Sequence, residues 1–181
     1  MWLQENKVVN LQLAAEKIRG ILVHPGETFS FWRLVGKPTA RKGYLPGMIL
    51  SEGKVRAGMG GGLCQLGNLI YWMTLHTPLT ITERWRHSYD VFPDSGRTQP
   101  FGSGATLAYN YIDLQIKNKT TQTYQLSVSV DDHYLNGCWY CTQQQNWTYQ
   151  VYESRHWITH EWWGGYLRHN ELRRKVFNEN H

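Results

Sequence analysis

The run Gly58-Met59-Gly60-Gly61-Gly62-Leu63-Cys64-Gln65 sets a thiol behind a glycine loop and directly ahead of Leu66-Gly67-Asn68-Leu69-Ile70-Tyr71-Trp72-Met73. Leu66, Leu69, Ile70 and Met73 recur at helical spacing, which predicts a helix with Cys64 in its first turn. The first N–H groups of a helix lack intrahelical partners, and the helix dipole favours negative charge there. Such a field stabilises a thiolate, the reactive form of cysteine, so the spacing predicts a depressed Cys64 pKa and an open cleft. Glycines permit positive φ and the close approach of a ligand, and free N–H groups can hold an oxyanion. The same residues also fit an inert, buried cysteine beside a tight turn.

His87 follows a predicted strand over Leu79-Thr80-Ile81-Thr82. A cysteine at a helix start, then a histidine on or after a later strand, is the chain order of papain-like cysteine enzymes. There the imidazole takes the thiol proton and later protonates the leaving group. A surface histidine bonded to backbone is the plainer alternative. His76 ends the Cys64 helix, about 18 Å away at 1.5 Å per residue, too far to serve. Asp90, Asp94, Asn110 and Asp113 are candidates to orient the His87 ring.

These residues need elements to position them. Leu11, Ala14, Ala15, Ile18, Ile21 and Leu22 fit one face of a helix over about 8–20, closed by Gly20 and Pro25-Gly26. Thr28-Phe29-Ser30-Phe31 alternates as a strand. Met48-Ile49-Leu50 and Val55-Arg56-Ala57 flank Ser51-Glu52-Gly53-Lys54 as a hairpin. After Pro78 the period becomes that of strands: Leu79 to Thr82, Thr106 to Tyr109, Leu114 to Ile116 and Tyr124 to Val130. Asp131-Asp132 and Asn136-Gly137 read as turns. Tyr149 to Tyr152 and Trp162 to Leu167 suggest two more strands. The fold class is α+β: an N-terminal helix, a Gly-rich loop leading into a central helix, then a mainly antiparallel β-sheet. One domain is expected over 1–181.

Composition narrows the function. The 181 residues carry a net charge of +5, with basic residues scattered except for Arg168, Arg173, Arg174 and Lys175. No basic stripe interleaves with aromatics, which argues against nucleic acid. Nine Trp and eleven Tyr suit a cleft for sugars or peptides, and equally a β-rich core. Three cysteines are too few for a disulfide scaffold. No apolar run approaches the roughly 18 residues of a membrane span. Met1 to Lys7 is not a signal peptide, which points to the cytoplasm, or to the cell envelope if an export segment precedes this chain. Cys138-Trp139-Tyr140-Cys141 is a lone pair of ligands, to which His133, His156 or His160 would have to be added for zinc. No metal or cofactor is therefore expected.

Gly60-Gly61-Gly62-Leu63-Cys64-Gln65, with Pro25-Gly26-Glu27-Thr28-Phe29-Ser30-Phe31 and Val35-Gly36 before it, resembles the signature of the VanW family. The likeness continues through Asn68 to Trp72, Leu79 to Arg84, Asp90 to Asp94, Pro100 to Gly104, Tyr109 to Asp113 and Lys117-Asn118. It spans about residues 9–130, and more weakly the tail through Arg168-His169-Asn170-Glu171-Leu172, within a β-rich extension over about 131–181. The resemblance implies a part in B-type vancomycin resistance. It also implies a cell-wall partner, a peptidoglycan stem peptide or precursor, and cysteine-dependent acyl transfer of the L,D-transpeptidase kind. A non-catalytic peptidoglycan-binding module is the alternative. Carried over, the catalytic set is Cys64 as nucleophile with His87, Arg84 and Asp113. The substrate-binding set is Gly60, Gly61, Gly62, Gln65, Asn68 and Tyr71. The chain departs from many members at Gly67, where they have serine or threonine, and at Gly104, where they have aspartate. Arg86 stands in a stretch often rich in histidine.

Overall fold

The computed structural model describes residues 2–51, 54–86 and 99–178. Helix α1 (Trp2–Ile18) buries Leu11, Ala14, Ala15 and Ile18, one stripe at helical spacing. Gly20, at φ 82°, turns the chain after it, and the Gly20 N–H donates to the Leu126 carbonyl at 2.7 Å. Strands β1 (Leu22–Val23) and β2 (Thr28–Ser30) follow. The short helix α2 (Phe31–Val35), unforeseen from the sequence, begins where the Ser30 hydroxyl accepts the Arg33 N–H. Hairpin β3 (Pro46–Ser51) and β4 (Lys54–Met59) then leads into α3 (Cys64–Leu75). The rest is strand: β5 (Thr80–Glu83), β6 (Gln115–Lys117), β7 (Tyr124–Val130), β8 (Leu135–Cys141), β9 (Trp147–His160) and β10 (Tyr166–Asn178).

Among the described residues every strand pair is antiparallel, in four small sheets ordered β1-β7-β8, β2-β6-β5, β3-β4 and β9-β10. The α+β expectation thus holds. On β7, Tyr124, Leu126 and Val128 face inward, as a half-buried strand requires. They join Ile18, Phe29, Phe31, Leu66, Ile70, Leu114 and Ile116 in one core between α1, α3 and the sheets.

Three local expectations are corrected. Trp162 to Gly165 is the turn between β9 and β10, not strand, with the Gly164 N–H donating to the Glu161 carbonyl at 2.9 Å. Asn136-Gly137 is not a turn but lies inside β8, where Gly137 pairs with Val128. A Cβ at Gly137 would stand 2.7 Å from the Met73 sulfur, so the glycine lets α3 press onto the strand. The turn is Asp131 to Tyr134, where the Asp131 carboxylate accepts the His133 and Tyr134 N–H groups at 2.8 and 2.7 Å. Thr106 to Tyr109 is not a strand either. Only Ala108 forms a bridge, to Ile112, around Asn110 at φ 66°.

Candidate functional site

Cys64 is the first residue of α3 and is half-buried. Its sulfur is bracketed by one backbone unit: the Leu107 N–H donates to Sγ at 3.4 Å, and the thiol reaches the Leu107 carbonyl at 3.7 Å. Burial pushes the thiol up from its ordinary value, against a partial downward pull from the Leu107 and Cys64 backbone groups. The expectation of a depressed pKa is therefore overturned. The first turn of a helix favours a thiolate, but burial in low-dielectric surroundings disfavours it, and burial is the larger influence here.

Asn68 and Tyr71 follow Cys64 at helical steps of four and three, so the three share a face of α3. Cys64 and Asn68 meet the segment 102–107 directly, and Tyr71 reaches it through Arg84. Asn68 Oδ1 accepts the Ala105 N–H at 2.6 Å. The Tyr71 ring lies 4.5 Å beneath the Arg84 guanidinium. Arg84 in turn donates from Nε to the Gly104 carbonyl at 2.8 Å and from Nη2 to the Gly102 carbonyl. Burial lowers the Arg84 pKa, opposed by the Tyr71 ring and reinforced by the Arg86 charge. Gly67 explains how the segment comes so close: a Cβ there would meet the Leu107 side chain at 2.8 Å.

The glycine loop does something other than admit a ligand. Gly61 abuts Gly47, and a Cβ on Gly61 would stand 2.1 Å from the Gly47 carbonyl carbon. The Gly61 carbonyl accepts Asn10 Nδ2 at 2.9 Å. Gly60, at φ 71°, packs against Pro38, and Gly62, at φ 95°, against the Lys7 side chain. Together they wedge the loop between α1 and β3. Gln65 is exposed on the next turn.

Asp113 is engaged elsewhere. Its carboxylate accepts the Ser30 hydroxyl at 2.5 Å and the Trp32 N–H at 3.0 Å, which fixes the start of α2. It lines a cleft of about 380 Å³ with Trp32, Arg33, Glu83 and Tyr109 to Ile112, a set that includes neither Cys64 nor Arg84. His87, Asp90 and Asp94 lie outside the described residues. Cys138 and Cys141 lie on β8 three residues apart and so face opposite sides of the strand. Among the described residues no three His, Cys, Asp or Glu side chains converge as a metal site.

A second cleft, of about 310 Å³, is lined by Tyr71, Arg84, Arg86 and Gly102 on one side and Trp157, His169, Asn170 and Leu172 on the other. Sequence reasoning missed the far wall, because nothing in the spacing of β9 and β10 says where the hairpin will lie. The Trp157 and His169 rings stack at 5.1 Å.

The residues that stitch α3 to the 102–107 segment fall inside a stretch, 6–140, that matches a family described as "VanW like protein". The chain belongs to the VanW family. It is 43% identical over 148 residues to the Vancomycin B-type resistance protein VanW of Enterococcus faecalis, a match covering 82% of this chain and 54% of that protein. It is 33% identical over 113 residues to the uncharacterized protein YoaR of Bacillus subtilis, covering 62% of this chain and 36% of that one. The chain thus spans about half the length of VanW and about a third of YoaR. No solved structure matches it. No described helix is long and apolar enough to cross a membrane.

Proposed function

We propose that this VanW-family chain takes part in vancomycin resistance by binding a peptidoglycan stem peptide or precursor and transferring an acyl group through Cys64. The observation that supports it is the Cys64 sulfur at the start of α3, 3.4 Å from the Leu107 N–H. A donor so placed, with the Cys64 N–H at the unpaired helix start, suits a carbonyl oxygen that gains charge when sulfur attacks.

The thiol is neutral at rest, so attack needs a base to take its proton. His87 is the candidate from the sequence. Sulfur bonds to the peptide carbonyl carbon and the C–N bond breaks, the amine leaving with the proton that the base received. An acceptor amine, or water, then attacks the thioester, gives up its proton and frees the thiol. The test is intact-protein mass spectrometry after incubation with tetrapeptide muropeptides. An acyl adduct that disappears in Cys64→Ala, and forms about 10²–10⁴ times more slowly in His87→Ala, is expected. Absence of any adduct under conditions where the peptide binds would sink the catalytic reading.

A second reading, binding without chemistry, draws on the desolvated thiol tied to Leu107. Saturable binding with Cys64 unmodified is its signature.

A further inference from the structure

The 310 Å³ cleft lies between the 84–86 segment, inside the family match, and the β9–β10 hairpin, outside it. The hairpin wall, Trp157 to Leu172, lies beyond the family match, which ends at 140. Opposite it, two guanidiniums line one cavity. Burial, with the Arg86 charge adding to it, works against the protonated form of Arg84, and an anion between the two would offset that charge. Among the described residues neither has a carboxylate partner.

Arg84 is held in one plane, between the Gly102 and Gly104 carbonyls and the Tyr71 ring. Those bonds occupy Nε and Nη2, and Nη1 has no acceptor among the described residues. Glu153 stands nearby, but it is engaged by Asn170 Nδ2 at 2.8 Å and faces His156 at 3.8 Å. Asn170 is fixed as well, donating to the Phe101 carbonyl at 2.5 Å. His169 is oriented by the Thr159 hydroxyl at 3.0 Å and by its stack on Trp157.

We propose that this cleft receives the C-terminal carboxylate of a short peptide, held by Arg84 and Arg86, with the last residue against the Trp157–His169 stack. A planar guanidinium held in place, as Arg84 is, matches a carboxylate, which accepts two N–H bonds in a plane, and exposed Arg86 adds a second positive charge beside it. A phosphate is the other anion of suitable size. The cavity lining has no lysine and no serine or threonine hydroxyl to meet its additional oxygens, and its far wall is aromatic. The choice of peptide rests on the cell-wall reading above; the recognition of a carboxylate does not.

The test is a titration of the full chain with N-acetyl-D-alanyl-D-alanine, its L,L isomer, the C-terminal amide of each, and inorganic phosphate. The readout is the Trp157 indole N–H resonance, assigned with Trp157→Phe. At least one free acid should shift it saturably, and neither amide should. Arg86→Gln should weaken binding about tenfold or more, with an unchanged melting temperature. Arg86 is exposed, so this variant spares the fold, whereas changes at Arg84 also release the 102–104 carbonyls. Equal binding of acid and amide, a response to phosphate alone, or indifference to Arg86→Gln would overturn the proposal. A cleft that binds the acid while Cys64 stays unmodified removes only the catalytic reading. An adduct on Cys64 without a Trp157 response removes only this one.

Discussion

Cys64 shows how far residue type and spacing carry. Its place at the head of α3 was legible, because the apolar period of the following residues sets the helix start. Its protonation was not, because that depends on Leu107, forty-three residues away and meeting the sulfur through backbone alone. Backbone contacts leave no mark in the side-chain pattern. The consequence is measurable. Burial holds the proton on sulfur, so the thiolate fraction at neutral pH is below that of an ordinary exposed thiol. Iodoacetamide should therefore modify Cys64 more slowly than exposed Cys138 at pH 7. Its rate should keep climbing above the pH range in which an ordinary cysteine thiol ionises. A Cys64 that reacts faster than Cys138 in the native protein, with a rate that levels off below that range, would contradict the burial argument.

Among the elements, the glycine loop changes meaning once α1 and β3 are in place. The sequence marks it as flexible, yet Gly60 and Gly61 are buried. Buried Asn10 ties α1 to the loop and to the residue before β3: Nδ2 donates to the Gly61 and Leu45 carbonyls, each at 2.9 Å, and Oδ1 accepts the Leu45 N–H at 2.8 Å. Asn10→Ala strands buried polar backbone and is expected to cost about 2–4 kcal/mol, read from urea unfolding. Gly61→Ala drives a methyl into Gly47 backbone, where no rotamer can yield, so it should lower stability by about 2 kcal/mol or more. Gly62→Val differs: its Cβ meets the flexible Lys7 chain, leaving mainly the positive φ to be strained. Near-native unfolding midpoints for Asn10→Ala and Gly61→Ala would show that the loop is the open ligand gate its composition suggests. Long alternating strands such as β7 were legible residue by residue, because period two survives any packing. The β8 strand was not, because its glycine answers to Met73 on α3 rather than to a turn.

At the scale of the molecule, the cleft exists only while β9–β10 lies against the body of the chain. This hairpin is long and unsupported by further strands; its residues Trp162 and Tyr166 are 91% and 68% exposed, so its own core cannot hold it in place. Arg174 does part of that work. Its Nη1 donates to the Leu75 and Thr77 carbonyls at 3.1 and 2.6 Å, at the C-terminal end of α3, and its guanidinium covers the Tyr149 ring at 4.8 Å. A cation there meets the negative end of the helix dipole and carbonyls that lack intrahelical partners. Because Arg174 is exposed, the contact is worth only about 1 kcal/mol, or about fivefold in the population of an undocked hairpin. Arg174→Ala should therefore leave the melting of the core almost unchanged. Amide exchange in residues 147–178 should quicken about fivefold, and binding of the free-acid peptide should weaken in step. Arg174→Lys keeps the charge and one nitrogen to meet the carbonyls but not the planar group that covers the Tyr149 ring, and should recover only part of the protection. If exchange in the hairpin is unmoved while peptide binding falls, Arg174 acts on the ligand directly. If both are unmoved, the hairpin is docked by its other contacts, Asn170 to the Phe101 carbonyl and Arg168 over the Phe101 ring.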